Sequence, residues 1–204
     1  MMKKSLVYLA ALSLTAACGG GGDAGQTEAD TAATSAAPAP APATPAASAA
    51  APAVTDPQIA AIVVAANEAD IKWARLALEK TQNPQVRGFA EAMVNDHGGV
   101  NQKAVELVTR LGVTPEPNPT SQQLSQGGDT THGSLSGKSG AEFDKAYIDN
   151  EVAYHRTVLE AVDNTLVPNA QNAELKELLV SVRPAFENHL KRAEQVQAAI
   201  GGQQ

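Results

Sequence analysis

Three of the four histidines in this sequence of 204 residues lie where a helical pattern would bury them. His97, His155 and His189 each fall on the apolar stripe of a different predicted helix. His132 instead lies in a stretch rich in Gly, Ser and Thr, where we expect it to be solvated. Surface histidines would not all coincide with a buried stripe, so the first three are candidates for an internal site.

Two carboxylates accompany these histidines. Asp70 completes the apolar stripe of the first predicted helix, and Glu151 precedes His155 by one turn on the same face. Counting residues outward from the predicted turns places Asp70 opposite His97. The same count places His189 nearest Glu151, with His155 about one turn away. Burying a carboxylate without a partner is costly, so we expect imidazoles or a metal ion beside it.

Three imidazoles with one or two carboxylates are typical of a mononuclear site for a divalent metal such as Zn, Cu, Mn or Fe. One cysteine and three methionines argue against Cu(I). A di-iron site would need a Glu-x-x-His pair on two helices, but Val94, Val152 and Phe186 occupy the positions three before the histidines.

Two other interpretations of the same cluster stay open. The residues could form a hydrogen-bonded network that fixes the helix register and binds no metal, or they could serve a redox or proton-transfer enzyme. The sequence contains no phosphate-binding glycine loop after a strand, no serine nucleophile elbow and no zinc-protease helix motif. A non-enzymatic protein is therefore favoured over an enzyme.

Apolar periodicity and capping residues predict four helices and no strand. The first helix begins at Asp56 and ends at Asn83-Pro84, where the second begins and runs to Gly112. The third begins with a capping box from Ser139 to Glu142 and ends at about Leu166, and a turn at Pro168-Asn169 leads to the fourth. Pro184 lies inside the fourth helix, where it removes one backbone hydrogen bond, so we expect a kink there.

The lengths of the connections predict the topology. Short turns join the first helix to the second and the third to the fourth, which gives two antiparallel hairpins. Residues 113–138 are rich in Pro, Gly, Ser and Thr and are predicted to form a long loop between the hairpins. The fold is therefore predicted to be all-α, a ferritin-like antiparallel four-helix bundle with a long crossover between helices two and three. A simple up-down bundle with a floppy loop is the alternative.

The amino terminus has the features of an export signal. Residues 1–17 contain Lys3 and Lys4, then an apolar run over residues 6–14 that is too short to span a bilayer, then small residues before Cys18. The five residues ending at Cys18 resemble a lipobox. Attachment of lipid to Cys18 would also explain the only cysteine of an exported chain. The alternative is an ordinary signal peptide followed by a free cysteine.

Composition separates a linker from one folded domain. Residues 18–55 are mostly Ala, Pro, Gly, Thr and Ser, which predicts a disordered spacer, and residues 56–200 remain for the bundle. The formal net charge of −7 leaves no basic surface for nucleic acid or anionic headgroups. The lipid anchor is therefore the expected membrane contact. Gly19 after the cysteine, by similarity to lipoprotein sorting signals, favours the periplasmic face of the outer membrane.

Several strings in the chain resemble the domain of unknown function 4142 family over nearly all of residues 57–200. They are Ala74-Arg75-Leu76-Ala77, Asn83-Pro84-Gln85-Val86, Phe89-Ala90, Met93-Val94-Asn95-Asp96-His97, Phe143-Asp144, Tyr147, His155, Leu175-Lys176, Pro184 and His189-Leu190. The resemblance implies a ferritin-like bundle in an outer-membrane or periplasmic protein and implies no particular activity. The family usually has Glu before an apolar residue on the first helix, whereas this chain has Asp70-Ile71.

Overall fold

The computed structural model of the chain describes residues 54–202, and these residues are helical almost throughout. The helices are α1 (Asp56–Lys80), α2 (Pro84–Arg110), α3 (Pro119–Ser136), α4 (Gly140–Ala161), α5 (Val167–Asn169) and α6 (Ala173–Gly201), with a π-helical turn at Val162–Leu166. No strand occurs within this range, so the prediction of an all-α fold is confirmed. Among these helices, none is long and apolar enough to cross a membrane.

The predicted signal peptide (1–17), the lipidation site Cys18 and nearly all of the predicted linker lie outside the described residues. What the sequence predicts for them stays a prediction.

Helix ends follow the capping residues in the sequence, with one exception. The Asn83 side chain accepts hydrogen bonds from two backbone N–H groups in the first turn of α2. Gly112, with φ of 64°, adopts the left-handed conformation just after that helix. Ser139 precedes α4 as predicted, but its side chain makes no capping hydrogen bond. The predicted capping box is therefore not formed, and the Glu142 carboxylate accepts a hydrogen bond from Lys138 Nζ at 2.6 Å.

The two predicted hairpins form a helical bundle. Helix α1 packs along α2 and α4 packs along α6, while α2 also contacts α6 and α1 contacts α4. The finer ferritin-like arrangement stays a prediction. Two apolar clusters fill the interior. We call them the Trp73 cluster, which includes Trp73, Phe89, Met93, Phe143, Tyr147 and Ala193, and the Phe186 cluster, which includes Ile59, Val100, Val162, Leu179 and Phe186.

The prediction of a long loop at residues 113–138 is wrong, because most of this segment is helix α3. The helix packs along α1, and Trp73 Nε1 donates a hydrogen bond to the Gly128 carbonyl at 2.9 Å. A Cβ at position 128 would lie 3.0 Å from Ala69 Cβ, so the absence of a side chain lets the helices approach closely. The segment has too few apolar residues for a stripe, and its stability comes from these contacts with α1.

Polar contacts fix both ends of α3. The Asn118 side chain caps the helix and donates to the Gln58 carbonyl at 3.1 Å, while Lys80 Nζ donates to the Ser136 carbonyl at 2.8 Å. His132, expected in a solvated loop, lies on this helix and is half-buried.

The second hairpin turns later than predicted. Helical backbone continues from α4 through the π turn and α5 to Asn169, so the turn is formed by residues 170–172. Helix α6 runs past Pro184 without a break in its helical backbone.

Candidate metal centre

Four helices bring the five predicted site residues into one buried group. Asp70 lies on α1, His97 on α2, Glu151 and His155 on α4, and His189 on α6; we call these five side chains the polar layer. All five residues are buried, and the most exposed side chain, His189, is 7% exposed. On α2 and α6 the histidine separates a residue of the Trp73 cluster from one of the Phe186 cluster, so the polar layer lies between the two.

Hydrogen bonds hold the rings of His97 and His155. His97 Nδ1 lies 2.7 Å from Asn67 Oδ1, and Asn67 Nδ2 donates to the Val63 carbonyl at 2.8 Å, so the amide oxygen faces the ring. His155 Nδ1 lies 3.0 Å from the Glu151 carbonyl oxygen. Because both oxygens can only accept, each Nδ1 carries the proton and each Nε2 is left with a free lone pair.

His189 uses the opposite nitrogen. Its Nε2 lies 2.9 Å from Asp96 Oδ2, and the Asp96 side chain is 53% exposed. The carboxylate therefore holds the ring from the solvent side, and Nδ1 faces inward without a hydrogen-bond partner. One nitrogen from each of His97, His155 and His189 lies within 4.8 Å of the others. Metal-binding histidines commonly donate their second nitrogen to a carboxylate or carbonyl in this way.

The Asp70 carboxylate lies against two of these nitrogens. Its Oδ2 is 3.3 Å from His97 Nε2 and 3.7 Å from His155 Nε2. These separations are long for hydrogen bonds. They are close to the ~3.3 Å expected between two ligands that each lie ~2.0–2.1 Å from a tetrahedral ion. Ligand atoms of Asp70, Glu151 and His155 form a second group within 4.8 Å of one another.

Unpartnered polar atoms are concentrated in the polar layer. In residues 54–202, seven of the eleven buried side-chain nitrogen and oxygen atoms without a hydrogen-bond partner belong to it. They are both carboxylate oxygens of Asp70 and of Glu151, His97 Nε2, His155 Nε2 and His189 Nδ1. Buried polar groups are rarely left without partners, and a bound ion can supply the partner that such atoms lack.

Burial shifts the protonation of the whole polar layer toward neutral forms. It raises the pKa of Asp70 to about 7 and the pKa of Glu151 well above its ordinary value, the latter also through the neighbouring Asp70 charge. Burial lowers the pKa of His155 to about 4 and the pKa of His97 well below 6.5. It also lowers the pKa of His189, although Asp96 opposes the change. The imidazoles are therefore already in the neutral form that binds metals.

The structure brings together all five residues singled out in the sequence, and Asp70 lies opposite His97 as predicted. The count placed His155 about one turn from His189, whereas the structure puts the two rings side by side, with centroids 5.3 Å apart. The later turn of the second hairpin explains this change, since it moves the pairing of α4 with α6 by about one helical turn. That the polar layer binds metal stays a prediction.

Two partners of the histidines were missed in the sequence. Asn67 lies one turn before Asp70 on the buried face of α1, where a polar residue interrupts the apolar stripe. Asp96 directly precedes His97, but it supports a histidine on another helix, so no local pattern reveals its role.

The described residues thus form an all-helical bundle with buried His, Asp and Glu groups that could bind metal. The chain belongs to the family described as Domain of unknown function (DUF4142), whose model matches residues 41–196. The fold is similar to that of a DUF305 fragment from Deinococcus radiodurans, known from a crystal structure. The two share 14% identity with a TM-score of 0.61, over 72% of this chain and 99% of that one. No curated protein matches the chain.

Proposed function

We propose that the protein is a lipid-anchored envelope protein whose helical bundle binds one divalent metal ion in the polar layer. One observation carries the metal part of this proposal. Each of three buried rings, His97, His155 and His189, has one nitrogen without a partner and the other hydrogen-bonded to an oxygen, and one nitrogen of each ring lies within 4.8 Å of the others. This arrangement would hold the rings in the tautomers that metal binding needs.

The donor set suggests a role for each residue. His97 Nε2, His155 Nε2 and His189 Nδ1 would bind the ion, and Asp70 Oδ2 would be the fourth ligand. Glu151 would be a fifth ligand or would accept the proton that Asp70 loses. Such a set suits Zn, Cu(II), Mn or Fe. A divalent cation would also offset the cost of ionising two buried carboxyl groups.

Metal analysis of the purified protein, prepared without a histidine tag, tests this proposal. After incubation with Zn, Cu, Mn and Fe salts and desalting, mass spectrometry should find about one ion per chain. The melting temperature should also rise, because a ligand that binds only the folded state stabilises it. His97→Gln and His189→Gln should abolish both effects, whereas His132→Gln, which changes a histidine of α3, should preserve both. Sub-stoichiometric metal without a melting shift in the wild type would overturn the proposal.

The hydrogen bonds of the histidines also favour a second candidate, a structural network that binds no metal. Their lengths of 2.7–3.0 Å are those of ordinary hydrogen bonds. In that case His97→Gln would lower the free energy of unfolding. No metal would change the melting temperature of the wild type or of the variant.

An enzyme acting on a large organic substrate is the least favoured candidate. A cleft of about 620 Å³ lies between α1 and α3, and one of about 370 Å³ lies between α2 and α6. Neither is lined by a residue of the polar layer.

The envelope part of the proposal is supported by the signal-like residues 1–17 and the lone cysteine at position 18. The periplasmic face of the outer membrane is the proposed location, which assumes a host with two membranes. Cells grown with labelled palmitate should incorporate the label into the wild type and not into Cys18→Ser. The variant should also leave the membrane fraction. Equal membrane association and no label in the wild type would contradict lipid attachment.

A further inference from the structure

A small apolar cavity lies inside the bundle beside the polar layer. Its volume is about 30 Å³, and α1, α2, α4, α6 and the π turn all contribute to its wall. Its apolar lining includes Val63, Val158, Val162, Leu179 and Val182, and only apolar atoms are exposed to the space.

The chemistry of this wall selects the kind of molecule that fits. A water molecule needs ~10–15 Å³ and two to four polar partners, so the cavity has enough room for water but offers it no partner. Apolar cavities of this kind stay dry, and one of ~150 Å³ binds benzene or xenon. A cavity of about 30 Å³ is several-fold smaller than that, which suits a diatomic molecule or a single noble-gas atom.

The cavity and the polar layer share His97. The His97 ring is stacked on the Phe186 ring, with centroids 5.3 Å apart and planes at 9°, and both rings line the cavity. His97 Nε2 lies on the side of Asp70. A molecule in the cavity would therefore be about one imidazole ring away from an ion in the polar layer.

A π turn and a proline lie in the helices beside the cavity. The π turn contributes Val162 and Leu166, and its Asp163 forms a bidentate ion pair with Arg183 at 2.6 and 2.8 Å. Pro184 follows Arg183 and cannot donate a backbone hydrogen bond to the Val180 carbonyl. Isolated π turns inside helices occur frequently at functional sites.

We propose that this cavity is a binding site for molecular oxygen, positioned to react with the metal ion in the polar layer. The part about the metal rests on the function proposed above. Dioxygen is apolar and diatomic, and it oxidises reduced iron. An Fe²⁺ ion held by His97, His155, His189 and Asp70 would supply the one electron that reduces dioxygen to superoxide and would itself be oxidised to Fe³⁺.

Xenon tests the cavity without any metal. Val182 lines the cavity and is 7% exposed, whereas Val180, two residues earlier on α6, is 52% exposed and does not line it. Val182→Ile therefore fills part of the cavity, and Val180→Ile is the matched control. Under xenon pressure, the methyl resonances of Val158 and Val162 should shift in the metal-free wild type and the control, and should hardly move in Val182→Ile.

Three results would overturn the binding site. They are no xenon response in the wild type, an equal response in a folded Val182→Ile protein, and a crystal structure with an ordered water in the cavity. Val182→Phe fills more space and provides a second variant if the isoleucine leaves room for xenon.

Oxidation of bound iron tests the link to the metal. Proteins loaded with Fe²⁺ without oxygen are mixed with air-saturated buffer, and the formation of Fe³⁺ is followed by absorbance. Val182→Ile should oxidise several-fold more slowly than Val180→Ile at equal iron content, and equal rates would overturn the role of the cavity. Absence of iron from the wild type would overturn this link alone, because the metal analysis with Zn, Cu and Mn salts tests the proposed function separately. A positive xenon result would still identify a site for apolar gases.

Discussion

The Trp73 cluster and the polar layer are neighbours in the same bundle, yet they affect its stability in opposite ways. Phe89 and Tyr147 in the cluster are fully buried and pack edge to face, with ring centroids 6.2 Å apart. Burial of such apolar surface contributes ~25 cal/mol per Å². The side chains of Asp70, Glu151 and His155 are equally buried, but their polar atoms lose hydration without gaining enough partners.

This difference teaches that stability alone does not account for the polar layer. Well-packed apolar residues in place of buried ionisable groups are often neutral or stabilising. A bundle built only to be stable would therefore continue the apolar packing between the two clusters. The proposed metal ion, which needs these nitrogen and oxygen atoms, would account for the polar layer.

The largest effect is expected from Phe89→Ala in the Trp73 cluster. Removal of a fully buried aromatic ring should lower the free energy of unfolding by about 3–5 kcal/mol. Urea denaturation should give the same loss with and without metal, because Phe89 lies outside the polar layer. A loss that disappears when metal is added would contradict the separation of the two regions.

Asp70→Asn should change the pH dependence of stability in the metal-free protein. Burial raises the pKa of Asp70 from 3.8 to about 7 in the folded state. The protonated carboxyl group therefore contributes stability that is fully present below pH 4 and is lost as the pH rises through 7.

Urea denaturation between pH 4 and 8 should show the variant gaining stability relative to the wild type as the pH increases. His155, whose pKa is lowered to about 4, destabilises the fold as the pH falls from 6.5 to 4. This effect is present in both proteins and cancels in the comparison. A constant difference over the range would contradict the raised pKa of Asp70.

Asp96→Asn should weaken metal binding more than it weakens the fold. Asp96 holds His189 through a hydrogen bond to Nε2, and loss of such support typically costs ~10–100-fold in metal affinity. Competition with a chelating dye would measure the change. Glu91→Gln removes an exposed carboxylate from the same helix and should leave the affinity unchanged. Equal affinities of Asp96→Asn and the wild type would show that Asp96 does not position the ring.

The smallest effects are expected from two neighbouring glycines of α3. Gly127→Ala should stabilise the protein by up to ~1 kcal/mol, because a Cβ there meets nothing within 4 Å and alanine favours helix. Gly128→Ala should give no such gain, because its Cβ would lie 3.0 Å from Ala69 Cβ. Thermal unfolding of the two variants measures the difference, and neither should alter metal binding. An equal gain in both would mean that α3 does not pack closely on α1.

The strongest sequence signals were those that repeat along a helix. Apolar stripes and capping residues such as Asn83 were sufficient to predict the four long helices of the two hairpins. The position of Asp70 opposite His97 followed from counting residues outward from the short turn between α1 and α2. Helix α3 was missed because its stability depends on contacts with α1, such as the close approach at Gly128, which no local pattern reveals.

The closeness of His189 to His155 was not predicted for a related reason. The π turn carries the helical backbone of α4 past Leu166 to Asn169, and an apolar stripe does not distinguish a π turn from an α turn. Asp96 was overlooked because its contact with His189 joins two different helices. Contacts between helices therefore limit what can be inferred from one sequence, even where each helix is well predicted.

The distribution of the polar layer over α1, α2, α4 and α6 has a consequence for how the protein would be made. His189 lies on α6, so the five side chains of the polar layer are not brought together until that helix has been synthesised and packed. A chain that crosses a membrane unfolded would carry no assembled site with it. The metal that it acquires would then be set by the supply in the compartment where folding is completed, and not by the supply where translation begins.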